Sequence, residues 1–229
     1  MSHFEILEKV DPCLKVYLNK GESCYCASGR TVMMDATLDL KGQLKGNIPK
    51  TLFRKMLTPT SFFFQNIVAQ RGAGECLIAP LSPGSLYVID IGENQYSVVG
   101  SAFLAASSQA RVSAVFQDID KAFLASTGGF FILETEGLGQ ITVAGYGSLH
   151  EIQVTPGHPL IMHNEHVIAW EDTVDFSISL STTEDSFFRN VVNNYLAGAG
   201  FVLRFSGYGK IIVCSRSREN LSLWVQGKT

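Results

Sequence analysis

The sequence predicts an all-β protein: a β-sandwich or double-stranded β-helix-like body built from three internal repeats, with short helices in the connections. Three observations lead there. Short apolar stretches alternate with polar residues at a period of two and close on glycine. Such stretches follow one another at intervals of about 8 to 12 residues, the spacing of sandwiches and barrels. One punctuation occurs three times, at Gly72-Ala73-Gly74, Gly137-Leu138-Gly139 and Gly207-Tyr208-Gly209, each followed by a polar residue and then apolar residues two apart.

The elements of each repeat come in the same order. The first is an alternating strand ended by a glycine: Leu14, Val16 and Leu18 before Gly21; Leu86, Val88 and Asp90 before Gly92; Ile152 and Val154 before Gly157. An apolar stretch follows, at Val32-Met33-Met34, Phe103-Leu104-Ala105 and Val167-Ile168-Ala169. Each repeat then ends in an expected hairpin across its Gly-x-Gly, as in Phe130 to Glu136, Gly137-Leu138-Gly139 and Gln140 to Ala144. Gly72, Gly74, Gly137, Gly139, Gly207 and Gly209 are read as structural turn positions, supplying the positive φ of a tight connection between twisted strands.

Between these strands lie the only expected helices. Phe188, Val191, Val192, Tyr195 and Leu196 fall at helical spacing between Thr183 and Gly198. Leu52, Phe53, Met56 and Leu57 do so between Pro49 and Pro59, and a shorter stretch covers Ile119 to Ala125. The chain reads as one compact unit, 1–229, with repeats over 10–81, 82–147 and 148–220 in a pseudo-threefold arrangement.

Composition narrows the function. The 229 residues are 46% hydrophobic, which excludes disorder. Eighteen Lys and Arg against 21 Asp and Glu give no global positive field, so a nucleic-acid partner is not expected. Charged residues make up 17%, below the roughly 25% of an ordinary soluble domain. That shortfall points to a surface covered by an unknown protein partner or by further copies, hence a homo-oligomer. The longest charge-free stretch, Asn94 to Ala110, carries too many polar residues to span a bilayer, so any membrane association is peripheral. Met1 to Val10 has neither a basic nor an apolar leader region, and the cytoplasm is the expected location.

Tests for chemistry return little. Gly-x-Gly here precedes alternating β residues rather than a helix and recurs three times, so it reads as a turn and not as a phosphate cradle. Five cysteines, an odd number, form no disulfide framework; Cys24 and Cys26 share a strand face but have no second ligand pair. His150, His158, His163 and His166 cluster in sequence, as in a cupin metal site, yet the His-x-His such a site uses is missing. Ser148 and His150 sit in a connector between repeats, Asp118 and Asp120 in a loop, and no nucleophile elbow is found. No catalytic residue, cofactor or metal site is assigned.

The order of residues resembles one known family. Leu18-x-x-Gly21-Glu22-Ser23, Gly72-x-Gly74-Glu75 through Ala79-Pro80, Pro83-Gly84, Gly100 to Ala106, Tyr146-Gly147 to Glu151, His166 to Asp175, Gly200 to Gly209 and Ser215-Arg216-Ser217 are similar to the altered inheritance of mitochondria protein 24 family. The resemblance implies three β repeats like the trp RNA-binding attenuation protein subunit, a tendency to homo-oligomers, and no established catalytic residues. The family's mitochondrial branch is associated with inner-membrane organisation. Lys41 to Pro59 and Asn190 to Ala197 depart from the glycine- and leucine-rich loops of many relatives. Three functions follow as expectations: a non-enzymatic scaffold or assembly protein; by fold analogy, an RNA- or small-ligand-binding protein; and a cupin-like metal enzyme using His150, His163 or His166.

Overall fold

The structure, a computed structural model, describes residues 2–8, 10–43, 64–115, 132–179 and 202–227. The helices expected over 49–59, 119–125 and 183–198 lie outside the described residues. What is described is all β apart from two single 3₁₀ turns, Gly100–Ala102 and Asn164–His166, and one helix, α1 (Arg218–Val225). A leading strand, β1 (His3–Leu7), precedes three sets of six. The first set is β2 (Cys13–Leu18), β3 (Ser23–Ala27), β4 (Thr31–Met34), β5 (Asp39–Gln43), β6 (Phe64–Val68) and β7 (Gly74–Ile78). The second is β8 (Gly84–Ile91), β9 (Tyr96–Val99), β10 (Phe103–Ser107), β11 (Ala110–Val115), β12 (Ile132–Gly137) and β13 (Gly139–Tyr146). The third is β14 (Leu149–Val154), β15 (Leu160–His163), β16 (Val167–Glu171), β17 (Val174–Ser179), β18 (Val202–Gly207) and β19 (Gly209–Cys214).

One pairing rule runs through the three sets, always antiparallel. The first and third strands flank the sixth: β2 and β4 on β7, β8 and β10 on β13, β14 and β16 on β19. The second and fourth flank the fifth: β3 and β5 on β6, β9 and β11 on β12, β15 and β17 on β18. Each set thus contributes two three-stranded pieces to two different sheets. The pieces join between sets, third strand to preceding second strand, at β10 on β3 and β16 on β9. The result is a sandwich-like stack of sheets ordered β1-β2-β7-β4, β5-β6-β3-β10-β13-β8, β11-β12-β9-β16-β19-β14 and β15-β18-β17. Every third strand also carries a register shift at one place, between Thr31 and Met33, Phe103 and Ala105, and Val167 and Ala169. A bulge there sharpens the local twist and re-aims the strand end.

This topology corrects the hairpin reading of Gly-x-Gly. The fifth and sixth strands of a set are sequence neighbours yet hydrogen-bond in different sheets. The motif is therefore a corner where the chain leaves one sheet for the next, the device by which stacked sheets are joined. Gly137, Gly139, Gly207 and Gly209 take positive φ of 100°, 130°, 100° and 154°. Gly72 and Gly74 do not, because five residues, Ala69 to Ala73, make the first corner where a single residue makes the others.

What the second glycine of all three corners has in common is a close approach. A Cβ on Gly74 would stand 2.6 Å from Thr37 Oγ1, one on Gly209 2.8 Å from Glu171 Oε2, and one on Gly139 would strike Ser107 Oγ. In that space a side chain from the end of the third strand accepts a hydrogen bond from the amide following the glycine: Glu75 N to Asp35 Oδ2 at 2.9 Å, Gln140 N to Ser107 Oγ at 3.0 Å, and Lys210 N to Glu171 Oε2 at 2.9 Å. A backbone donor at a sheet corner has left its ladder and needs such a partner.

The core forms where the alternation of the strands predicts. In β2, Leu14, Val16 and Leu18 are buried, as expected. In β8 the pattern shifts: Leu86, Ile89 and Ile91 are buried while Asp90 is exposed. The six-stranded sheet containing β3 is covered on both faces, so Cys24 and Cys26 pack with Leu14, Val16 and Cys76 while Tyr25 packs with Phe64 and Phe103 on the other side. Ring centroids of that aromatic trio lie 5.1 to 6.1 Å apart. In the third set Trp170 plays the same part, edge-on to Phe176 at 4.9 Å and to Phe205 at 5.4 Å. Trp170→Ala is expected to cost about 3–5 kcal/mol.

The corners supply a sharper test. Gly139→Ala and Gly209→Ala combine strained φ with a clash and are expected to cost about 1–3 kcal/mol or more. At Gly72 a Cβ meets only Thr37 Cγ2, at 3.4 Å, with ordinary φ. Gly72→Ala is expected to leave stability unchanged or to raise it by up to ~1 kcal/mol. Urea unfolding midpoints of the three variants check the ranking.

Candidate functional site

Among the described residues, two concave sites form where sets meet. The first, of about 450 Å³, lies between β9 and β12 on one side and β16 and β17 on the other. Its floor is the Trp170 and Phe176 pair, and its walls are Gln95, Tyr96, Thr135, Glu134, Asp172 and Asp175. Glu171 lies beneath at 6% exposure. Its Oε1 accepts from Tyr96 OH and from Asn94 Nδ2, each at 3.1 Å, and its Oε2 from Lys210 N. Three donors account for this buried carboxylate, as burial of a charge requires. Burial, with the nearby Glu171 charge, pushes the Tyr96 hydroxyl well above its ordinary range, so it stays a donor. Thr135 Oγ1 accepts from Tyr96 N at 2.7 Å. The Glu171 carboxylate thus ties the third set to the second, while Thr135 and Tyr96 N bond within the second set.

An exposed extension continues the network. Lys210 Nζ lies 3.0 Å from Glu151, whose carboxylate also accepts from Tyr87 OH. The Tyr87 and Lys210 hydrogen bonds hold the Glu151 carboxyl below the usual glutamate range, while burial and the Glu151 contact push Tyr87 up to about 12.

The second site, of about 440 Å³, opens beside α1. It is lined by Tyr146, His166, Arg216 and Trp224 together with Ser215 and Ser217. Arg216 stands over the Tyr146 ring at 5.9 Å. His166 Nδ1 donates to Cys214 O at 2.8 Å, which fixes the ring with Nε2 on its other side. The hydroxyls are committed to structure: Ser215 Oγ accepts from Ser148 N, and Ser217 Oγ caps α1 by accepting from Asn220 N and donates to Glu165. Neither serine meets His166 as a nucleophile meets its base.

The sequence-clustered histidines separate. His163, at the end of β15, and His166, in the following 3₁₀ turn, are neighbours with centroids 6.2 Å apart. His150 is exposed on β14 and His158 exposed in the turn that bridges to Thr155. Among the described residues no three His, Cys, Asp or Glu side chains gather as metal ligands. Ser148 lies in the connector before β14, with its amide on Ser215, apart from the chemistry its proximity to His150 invited. Gly72, Gly74, Gly137, Gly139, Gly207 and Gly209 stand at the corners described above.

A family model described as mitochondrial biogenesis AIM24 matches residues 4–216. The chain belongs to the AIM24 family. An uncharacterized protein of Streptococcus pyogenes serotype M6 is 30% identical over 217 residues, 92% of this chain and 84% of that one. The crystal structure of a Streptococcus pyogenes protein, 28% identical, superposes with a TM-score of 0.79 and covers all of both chains. Among the residues that carry the AIM24 resemblance, Gly74, Gly207 and Gly209 stand at corners, Glu171 forms a lock and Ser217 caps α1. Sequence reasoning missed the Glu171 network, whose partners Asn94, Tyr96 and Lys210 lie 39 to 77 residues from it, and missed α1. A signal for α1 existed in Ser217-x-x-Asn220 followed by Leu221 and Trp224 at helical spacing. Among the described residues no helix is long and apolar enough to cross a membrane.

Two measurements test this chemistry. Cys24, Cys26, Cys76 and Cys214 are buried and free, and Cys13 is half-buried. The neighbouring Cys76 thiol and burial raise Cys24 well above an ordinary thiol, and burial pushes Cys26 to about 11 and also raises Cys214. Maleimide labelling of native protein at pH 8 is expected to add one label, at Cys13, and five only after denaturation. For Glu151 the folded value is lower than the unfolded one, so its contribution is present above the ordinary glutamate range and lost as pH falls through the folded value. Between about pH 5 and 3, wild type is expected to lose more stability than Glu151→Gln, by less than ~1 kcal/mol because the pair is exposed.

Proposed function

We propose that the protein is three copies of one six-stranded unit and serves as a non-enzymatic scaffold or assembly protein that associates with further copies of itself. The observation that carries this reading is where the apolar surface lies. Val32, Leu81, Trp224 and Val225 are 61 to 71% exposed in a chain with only 17% charged residues. Large apolar side chains held in water, with few charges around them, mark surfaces that meet other protein. The buried Glu171 beside the first cleft points the same way, since its carboxylate ties one set to the next.

The AIM24 description concerns mitochondrial biogenesis, whereas the relatives named above are streptococcal and work without a mitochondrion. What such proteins share is the β body, so its role is best sought in assembly rather than in an organelle-specific reaction. A second reading has one observation in its favour. Arg216, His166, Tyr146 and Trp224 place a cation, an imidazole and two aromatic faces around one 440 Å³ pocket, a composition suited to a small anionic ligand with a flat ring.

Multi-angle light scattering at micromolar concentration is expected to give a multiple of the 25.0 kDa chain mass. A strict monomer contradicts the scaffold reading. Thermal shift across a panel of aromatic carboxylates and nucleotides tests the second reading, and an Arg216→Ala variant abolishes any shift that arises in this pocket.

A further inference from the structure

The pairing rule joins a third strand to the preceding set's second strand at β10 on β3 and at β16 on β9, but the corresponding partners in the first and third sets are not joined. Among the described residues β4 is an edge strand bonded to β7 alone, and β15 an edge strand bonded to β18 alone. The two are of complementary kind, one third strand and one second strand. Burial records the difference. The bulge residues Leu104 and Ile168 are 1% and 5% exposed, and the next residues, Ala105 and Ala169, are fully buried; Val32 and Met33 in β4 are 61% and 38% exposed. β15 is half-buried along its length, whereas Val98 in β9 and Cys26 in β3 are fully buried.

We propose that β4 of one molecule pairs antiparallel with β15 of a second copy, extending the scaffold reading, on which it rests, to a specific interface. The register follows from the two pairs already made. Ala105 lies opposite Cys26 and Ala169 opposite Val98, which sets Met33 opposite Met162 and Met34 opposite Ile161. Both edges are free of charge over these residues, so pairing buries apolar side chains and satisfies ladder amides without desolvating an ion. The contact is heterologous, and a closed assembly leaves neither edge bare. Among the described residues the pair is not made within one chain, which leaves both edges to a second molecule.

The test uses full-length protein in a Cys13→Ser background. Met33→Cys and Met162→Cys are made separately, oxidised alone and as a mixture, and run on non-reducing gels. A disulfide-linked dimer in the mixture, with a loss of most of that band when either variant is oxidised alone, is the expected result. Val32→Lys, which sets a charge on the edge, is expected to shift the light-scattering mass to that of the monomer with an unchanged β circular dichroism spectrum. An oligomer that gives no cross-link in the mixture overturns this interface while leaving the scaffold reading standing. A wild type that is monomeric throughout overturns both. A Met33→Cys/Met162→Cys double variant that links only within its own chain also overturns the proposal, since the seam then closes intramolecularly.

Discussion

The fold depends on a small lock repeated at three sheet corners. When a chain leaves one sheet for another, the first amide past the bend loses its ladder partner. Here that amide is satisfied by Asp35, Ser107 or Glu171, a side chain reaching across from the end of a third strand. It reaches only because the residue before the amide, Gly74, Gly139 or Gly209, has no Cβ in the way. The lock fixes the third strand against the sixth, and in the second and third sets that third strand is the one that joins the preceding set. Removing the glycine therefore disturbs a corner, a strand pair and a junction at once.

From this lock the remaining architecture follows. Sheets that share strands of successive sets bury both faces of β3, which explains why Cys24 and Cys26 are packed as small apolar residues. The same economy explains the first cleft. Glu171 answers the Lys210 amide, and its other oxygen gathers Tyr96 and Asn94 from the preceding set, so a residue that looks like an acid in a pocket is a tie between sets.

Much of this was legible in the sequence, and what was not has a common cause. Strand positions were readable because burial follows the period of two, as at Leu14, Val16 and Leu18. The three Gly-x-Gly sites were readable as points where the chain changes direction. Their reading as hairpins failed because a hairpin and a sheet-to-sheet corner share the same local signs, two β stretches and glycines able to take positive φ. They differ only in which distant strands accept the hydrogen bonds, as β12 on β9 and β13 on β8 show. The histidine cluster failed likewise: spacing along the chain placed His150 and His158 near His163, and the strand order separates them. Glu171 was unremarkable in sequence because its partners come from two distant stretches, the start of β9 and β19.

The central claim is that three sets obey one rule and that the rule is left unfinished at β4 until a second copy arrives. Amide hydrogen exchange read by mass spectrometry at two protein concentrations tests it most directly. The account predicts that the peptide covering Thr31 to Met34 exchanges fast in dilute solution and gains protection as concentration rises, while those covering β10 and β16 are protected in both. Equal protection of β4 at both concentrations, matching β10 and β16, would contradict it.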